Sequence, residues 1–188
     1  MQFTKIPSDT FKKLQLNAGV LLRSFDPKSA TVKDTDIVAA TTGGVKFSAL
    51  PTFVDFGEDI DNCPKNMLEL KKLDYWEVTM TGSFVSVDAA AARDLVGPAD
   101  IPVEDQKKIV PRNDVAKTDY KDLWWVGDYG ENGGFIAIHM MNTLSTGGFN
   151  LQSTDANKGA FEFTFTAHFS MDAQDKVPFE IYIDTKEA

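Results

Sequence analysis

The chain has 188 residues, 43 % of them hydrophobic, a content sufficient for one packed core and incompatible with a disordered polymer. Its formal net charge of −9, with 28 acids against 19 bases, excludes a surface built to neutralise phosphates. Cys63 is the single cysteine, which excludes an intramolecular disulfide and a Cys-x-x-Cys redox pair, and favours intracellular synthesis.

Residues 1–16 read as an arm on a single domain covering 1–188. Ser8 or Asp9 offers a cap for one helical turn carrying Phe11 and Leu14. The run from Asn17 to Phe25 is a strand ended by the turn pair Asp26-Pro27, and Gln15 and Asn17 break any signal-type apolar stretch. No run approaches membrane-spanning length, so a soluble, unprocessed protein is expected. Ile37 to Thr41 and Val45 to Phe56 flank Thr42-Gly43-Gly44, which predicts a hairpin. Pro51 cannot donate a ladder hydrogen bond, so the second arm of that hairpin belongs at a sheet edge or at a bulge. A polar excursion over 57–71 follows.

From Tyr75 to Val87 the side chains alternate. Trp76, Val78, Met80 and Phe84 fall on one face and Glu77, Thr79 and Thr81 on the other, with a bend expected at Gly82 that lets one strand serve two sheets. Asp88 caps a short helix over about 88–96, closed by Gly97-Pro98. Ala91 and Leu95 give that helix an apolar stripe for lying across a sheet. Residues 98–118, with Pro98, Pro102 and Pro111, read as an extended surface loop. Strands over 120–126 and 135–144, then turns at Gly147-Gly148 and 155–159, form a meander signal. The clearest alternation sets Phe161, Phe163, Phe165, Ala167 and Phe169 against Glu162, Thr164, Thr166 and His168, and Phe179, Ile181 and Ile183 repeat it more briefly.

The chemistry-bearing candidates are few. Asp55-Phe56-Gly57 spells a kinase magnesium motif without its catalytic or glycine-rich loop, and the acidic run to Asp61 lacks the glycine and final glutamate of a calcium loop. Paired carboxylates at Asp59 and Asp61 have no nucleophile or acid partner motif, so a hydrolase is disfavoured. His139 and His168 have no third ligand at suitable spacing and read as structural. The pair Trp124-Trp125 suits core plus interface better than a sugar-stacking platform, because neighbours on a strand face opposite ways. No enzyme activity, metal or cofactor is expected. A carbohydrate- or ligand-binding β-sandwich is the alternative.

At Thr41-Thr42-Gly43-Gly44-Val45, at Asp55-Phe56-Gly57-Glu58-Asp59-Ile60-Asp61-Asn62-Cys63-Pro64-Lys65-Asn66 and at Trp76-Glu77-Val78-Thr79-Met80-Thr81-Gly82 the chain resembles the major tail tube proteins of phages with long non-contractile tails. The resemblance runs from Asn17-Ala18-Gly19-Val20 to Pro178-Phe179-Glu180-Ile181. It implies a mainly β fold, a β-sandwich or half-barrel of two packed antiparallel sheets flanked by one helix, similar also to the tube component of type VI secretion. It further implies hexameric rings stacked into a DNA-conducting tube in the virion tail, assembled in the host cytoplasm. Tape-measure, tail-terminator and baseplate or distal tail proteins would be the partners, and DNA would pass through without specific binding. On that expectation Glu77, Thr79, Glu162, Thr164 and Thr166 face the lumen. Phe11, Leu14, Asp55, Phe56, Glu58, Asp59, Asp61 and Asn62 meet neighbouring subunits or rings.

Overall fold

The computed structural model describes residues 5–186. Eleven elements follow in chain order: β1 (Gln15–Leu22), β2 (Thr41–Asp55), β3 (Lys71–Phe84), α1 (Ala89–Val96), β4 (Ala99–Asp100), β5 (Val110–Pro111), β6 (Lys121–Tyr129), β7 (Gly134–Ser145), β8 (Asn150–Gln152), β9 (Ala160–Ala167) and β10 (Phe179–Asp184). The architecture is mainly β and antiparallel, with one helix.

The strands follow the order β1-β6-β7-β9-β3-β2, with β10 added to β7 and β8 to β9. The two layers are therefore one continuous sheet that changes partners along β7. Residues Phe135 to Met140 of β7 pair with β10, whereas Thr143 to Ser145 pair with β9. The bend expected at Gly82 of β3 is not what links the layers. β3 keeps β2 on one side and β9 on the other past Gly82, and the irregularity sits opposite, in β2.

That irregularity overturns the predicted hairpin. Gly43 and Gly44, at φ +73° and +85°, form an insertion within β2, between the pairs Thr42↔Ser83 and Val45↔Gly82. Left-handed backbone can reverse a chain or can swell a strand. Here β3 is long enough to pair on both sides of the swelling, so the chain continues instead of turning. Ile37 bridges Leu22 of β1 instead.

The segment just before β2 links the two ends of the sheet. Val38 N–H donates to Leu21 O (2.9 Å) at the end of β1, and Ala40 O accepts from Val85 N–H (2.9 Å) beside β3. The sheet thus closes at one end only and forms a half-barrel. Its main core joins Leu21, Leu123, Trp125, Ile138 and Met140 of one layer to Val78, Met80, Phe84, Phe163 and Phe165 of the other. Phe84 and Phe163 stack at 4.4 Å, and each fully buried Phe contributes about 1.5–3 kcal/mol. α1 adds Ala91 and Leu95 to this core, its first turn held by Asp88 Oδ1, which accepts from Ala91 N–H at 2.7 Å.

A second cluster lies on the outer face of β6 and β7. Trp124, Val126 and Ala137 are covered there by Leu22 and Phe25. Phe25 meets Phe135 edge-on at 5.5 Å, so the 23–37 connection seals that face.

The stretch 98–118 is not a free surface loop. β4 and β5 pair at its base, and a charged cluster fastens it to α1. Asp119 accepts from Arg93 Nη2 (3.0 Å), from Arg112 Nη2 (2.7 Å) and from the Ala116 N–H (2.8 Å), while Arg93 Nε donates to Ala99 O (2.9 Å). Burial raises the Asp119 carboxyl, but the Ala116 N–H and the Arg112 guanidinium outweigh it and hold the group below the usual carboxylate range.

Candidate functional site

Cross-strand partners in an antiparallel sheet point to the same face. Across β2, β3 and β9 the rows are Ser48–Thr79–Thr166, Lys46–Thr81–Thr164 and Thr42–Ser83–Glu162, with Leu50–Glu77 beyond them. The opposite face carries Phe47–Met80–Phe165 and Thr41–Phe84–Phe161. The structure therefore brings Glu77, Thr79, Glu162, Thr164 and Thr166 onto one wet face. The Thr146 and Thr166 hydroxyls, 2.7 Å apart, extend it toward the β7–β8 turn. Sequence reasoning missed Lys46, Ser48 and Ser83 on this face. For Lys46 and Ser48 the signal was the alternation of β2, hidden by reading Gly43-Gly44 as a turn, and for Ser83 it was the alternation of β3 continuing past Gly82.

This face has unfinished borders. β2 ends the strand order, and β8 pairs only with β9. The opposite end strand, β1, has a bulge between Leu16 and Val20, and β2 presents fifteen residues of edge that carry the Gly43-Gly44 insertion and Pro51. Pro51 lies on an edge strand, as its missing N–H requires.

Beyond Thr79, β3 loses β9 as a partner and continues with β2 alone, from Ala49↔Val78 to Asp55↔Lys71. A two-stranded ribbon is marginal in water without a covering layer. This one nevertheless displays Leu50, Phe53, Val54, Leu73 and Tyr75, and its terminal loop displays Phe56, Ile60, Met67 and Leu68, all exposed. Lys71 and Lys72 lie over the rings of Phe53 and Phe56.

The loop at the ribbon tip is built around Asp55. Its Oδ1 accepts from Gly57 N–H (2.9 Å) and its Oδ2 from Asn66 N–H (2.8 Å). Those two amides, Asn66 first and Gly57 second, keep the carboxyl below its ordinary range. Asn62 and Asn66 take positive φ at +60° and +61°, so both are turn-forming residues. Glu58, Asp59 and Asp61 are exposed around the turn. Of the predicted contact residues, Asp55 and Asn62 thus shape the loop, and Phe56, Glu58, Asp59 and Asp61 are what it shows to solvent.

Phe11 lies in a 3-10 turn (Thr10–Lys13) ahead of β1, and both Phe11 and Leu14 are exposed. Asp9 occupies the cap position but makes no side-chain capping bond, because its carboxylate pairs with Lys13 Nζ at 2.5 Å. Residues 1–4 of the arm lie outside the described residues.

The tryptophans offer no platform. Trp124 is 7 % and Trp125 9 % exposed, on opposite faces of β6. Trp125 Nε1 donates to Ala18 O (3.0 Å), and Trp124 stacks on His139 at 4.0 Å. His139 lies between Asp122 (Nε2–Oδ2 3.0 Å) and Glu180 (Nδ1–Oε2 3.7 Å), and His168 Nδ1 is 3.2 Å from Asn142 O. Among the described residues no group of three or more His, Cys, Asp or Glu side chains is placed to hold a metal ion, and no helix is long and apolar enough to cross a membrane.

No family model and no curated protein matches the chain. Among solved structures it is similar to a chain from the virion of a native gene transfer agent particle, at 9 % identity and TM-score 0.43, covering 81 % of this chain and 92 % of that one. It is similar also to a chain from the tail of an empty gene transfer agent particle with C6 symmetry, at 9 % identity and TM-score 0.44 with the same coverage.

Proposed function

We propose that the chain is a structural subunit of a phage-type tail tube, with identical copies closing into hexameric rings that stack into a hollow conduit for DNA ejected into the host. The observation that carries this reading is the sheet β8-β9-β3-β2, polar on one face, packed on the other, and open at both borders. An open edge as long as β2 is a liability for a solitary molecule and an assembly device for a ring, because the neighbour's edge completes its hydrogen bonds. Ring closure turns the Ser48–Thr79–Thr166 face inward. Glu77 and Glu162 outnumber Lys46 on that face, so a passing polyanion meets hydroxyls and acids with no cluster of cations to displace its counterions, and it slides without binding. The ribbon carries apolar groups that only a second molecule can cover, and the sequence likeness to tail tube proteins at the β2 and β3 motifs supports the same reading. Tape-measure, terminator and distal tail proteins are then the partners inside and at the ends of the tube, and the assembled virion tail is its location.

Negative-stain electron microscopy of the purified protein at increasing concentration tests this. Rings or tubes with an empty centre are expected. Filaments solid at the centre, or a monomer at every concentration and in the presence of tail initiator proteins, would overturn it.

A further inference from the structure

A cavity of about 380 Å³ lies where Asp94 of α1, Leu123 of β6 and Phe165 of β9 face one another. Its inner wall is apolar, formed by the buried side chains of Val38, Leu123 and Phe165. The space exceeds several times over the roughly 30 Å³ that one water occupies in the liquid.

The polar groups of the wall come from β7. Thr143 and Ser145 pair with Ala167 and Phe165, which belong to the core, so both point to that side of the sheet. Thr143 Oγ1 donates to Lys121 O (2.5 Å) and keeps its lone pairs free to accept. Ser145 lines the cavity and is only 8 % exposed, yet its hydroxyl has no hydrogen-bond partner. Buried hydroxyls of that kind are rare in folded proteins.

The charges at the mouth are engaged with one another. Asp94 accepts from Arg23 and from Lys121 Nζ (2.5 Å), which ties α1 to the end of β1 and the start of β6. Asp119 is held by Arg93 and Arg112, and Asp122 accepts from Asn142 N–H (3.1 Å) and lies beside His139. An anion would therefore meet three carboxylates against Arg23 and Lys121, and a cation would find every carboxylate already partnered.

We infer that this cavity binds a small neutral molecule with an apolar body and a single hydroxyl head, of the size and class of a phenol. The body lies against Val38, Leu123 and Phe165, while the head accepts from Ser145 Oγ and donates to Thr143 Oγ1. An apolar recess with a few convergent polar groups is the usual form of a small-molecule site. The cavity lies across β9 from the Thr164 and Thr166 face, so the site stands apart from the tube reading.

The test titrates phenol, benzene and benzoate into the full-length protein and into Ser145→Ala, below the concentration of assembly, and follows amide NMR shifts and melting temperature. Phenol should give saturable shifts at Leu123, Thr143, Ser145 and Phe165 and raise the melting temperature. Ser145→Ala should fold normally, because the hydroxyl it removes has no partner, and should lose roughly two- to tenfold in phenol affinity with no loss for benzene. Three results overturn the site: no saturable response to phenol, which leaves water as the only occupant; equal phenol affinity in both proteins; or benzoate binding as tightly as phenol. Each of them leaves the tube reading standing, and a chain that binds phenol but never forms rings overturns the tube reading alone.

Discussion

The closed half of the barrel and the projecting ribbon are made of the same kinds of residue and live in opposite environments. Phe84 of β3 and Phe163 of β9 stack inside the main core, whereas Phe53 and Leu73, paired across β2 and β3, stand in solvent. The difference is the number of partners. Where β9 flanks β3 and the β1-β6-β7 layer packs against it the alternation becomes a core, and where they stop it becomes an unsatisfied surface. The apolar face of a strand, then, is not by itself evidence of burial within one chain.

Truncation should separate the two regions most sharply. Phe84→Ala removes a fully buried ring and should cost about 3–5 kcal/mol, read as a lower urea midpoint. Phe53→Ala should change the monomer's stability by less than about 0.5 kcal/mol and yet abolish assembly. Equal losses of stability in both variants would break the distinction.

Acid should weaken the body through Asp119. Its folded-state pKa lies below the unfolded value, so its contribution is present above the ordinary carboxylate range, near pH 3.9, and is lost as pH falls through the lower folded value. Urea midpoints between pH 2 and 6 should therefore fall at the acid end, and Asp119→Asn should flatten that limb.

At the ribbon tip the expected effect is local. Asp55→Ala should speed amide exchange at Gly57 and Asn66 with no change in the global melting temperature, because the carboxylate ties only the loop. Asp59→Ala with Asp61→Ala should reduce tube length or yield, and an unchanged yield would remove these acids from the contact. The smallest structural effect is expected from Glu77→Lys with Glu162→Lys. Folding and assembly should persist, while assembled particles should retain DNA at low salt in a filter-binding assay.

Much of the fold was legible because period-two patterns are local. The strands β3 and β9, the helix capped by Asp88, and the edge position of Pro51 all follow from neighbouring residues. The wet side of each strand, Glu77 and Thr79 on β3 and Glu162, Thr164 and Thr166 on β9, was legible for the same reason, and the pairing of the two strands makes it one face. The role of Gly43-Gly44 was not, since two left-handed glycines read alike in a turn and in a bulge. Nor was the anchoring of 98–118, because Arg93, Arg112 and Asp119 are distant in sequence and look like solvated charges until the fold brings them together.

Composition and alternation alone determined a β-rich, acidic chain with one short helix and two-faced strands. Only the tertiary structure decided that β7 joins the layers, that β2 and β8 stay open, and that the core face runs on uncovered past Phe179. The reason is physical. Alternation is set within a strand by backbone geometry, but which strand lies beside it, and where that neighbour stops, depends on contacts between residues far apart in the chain.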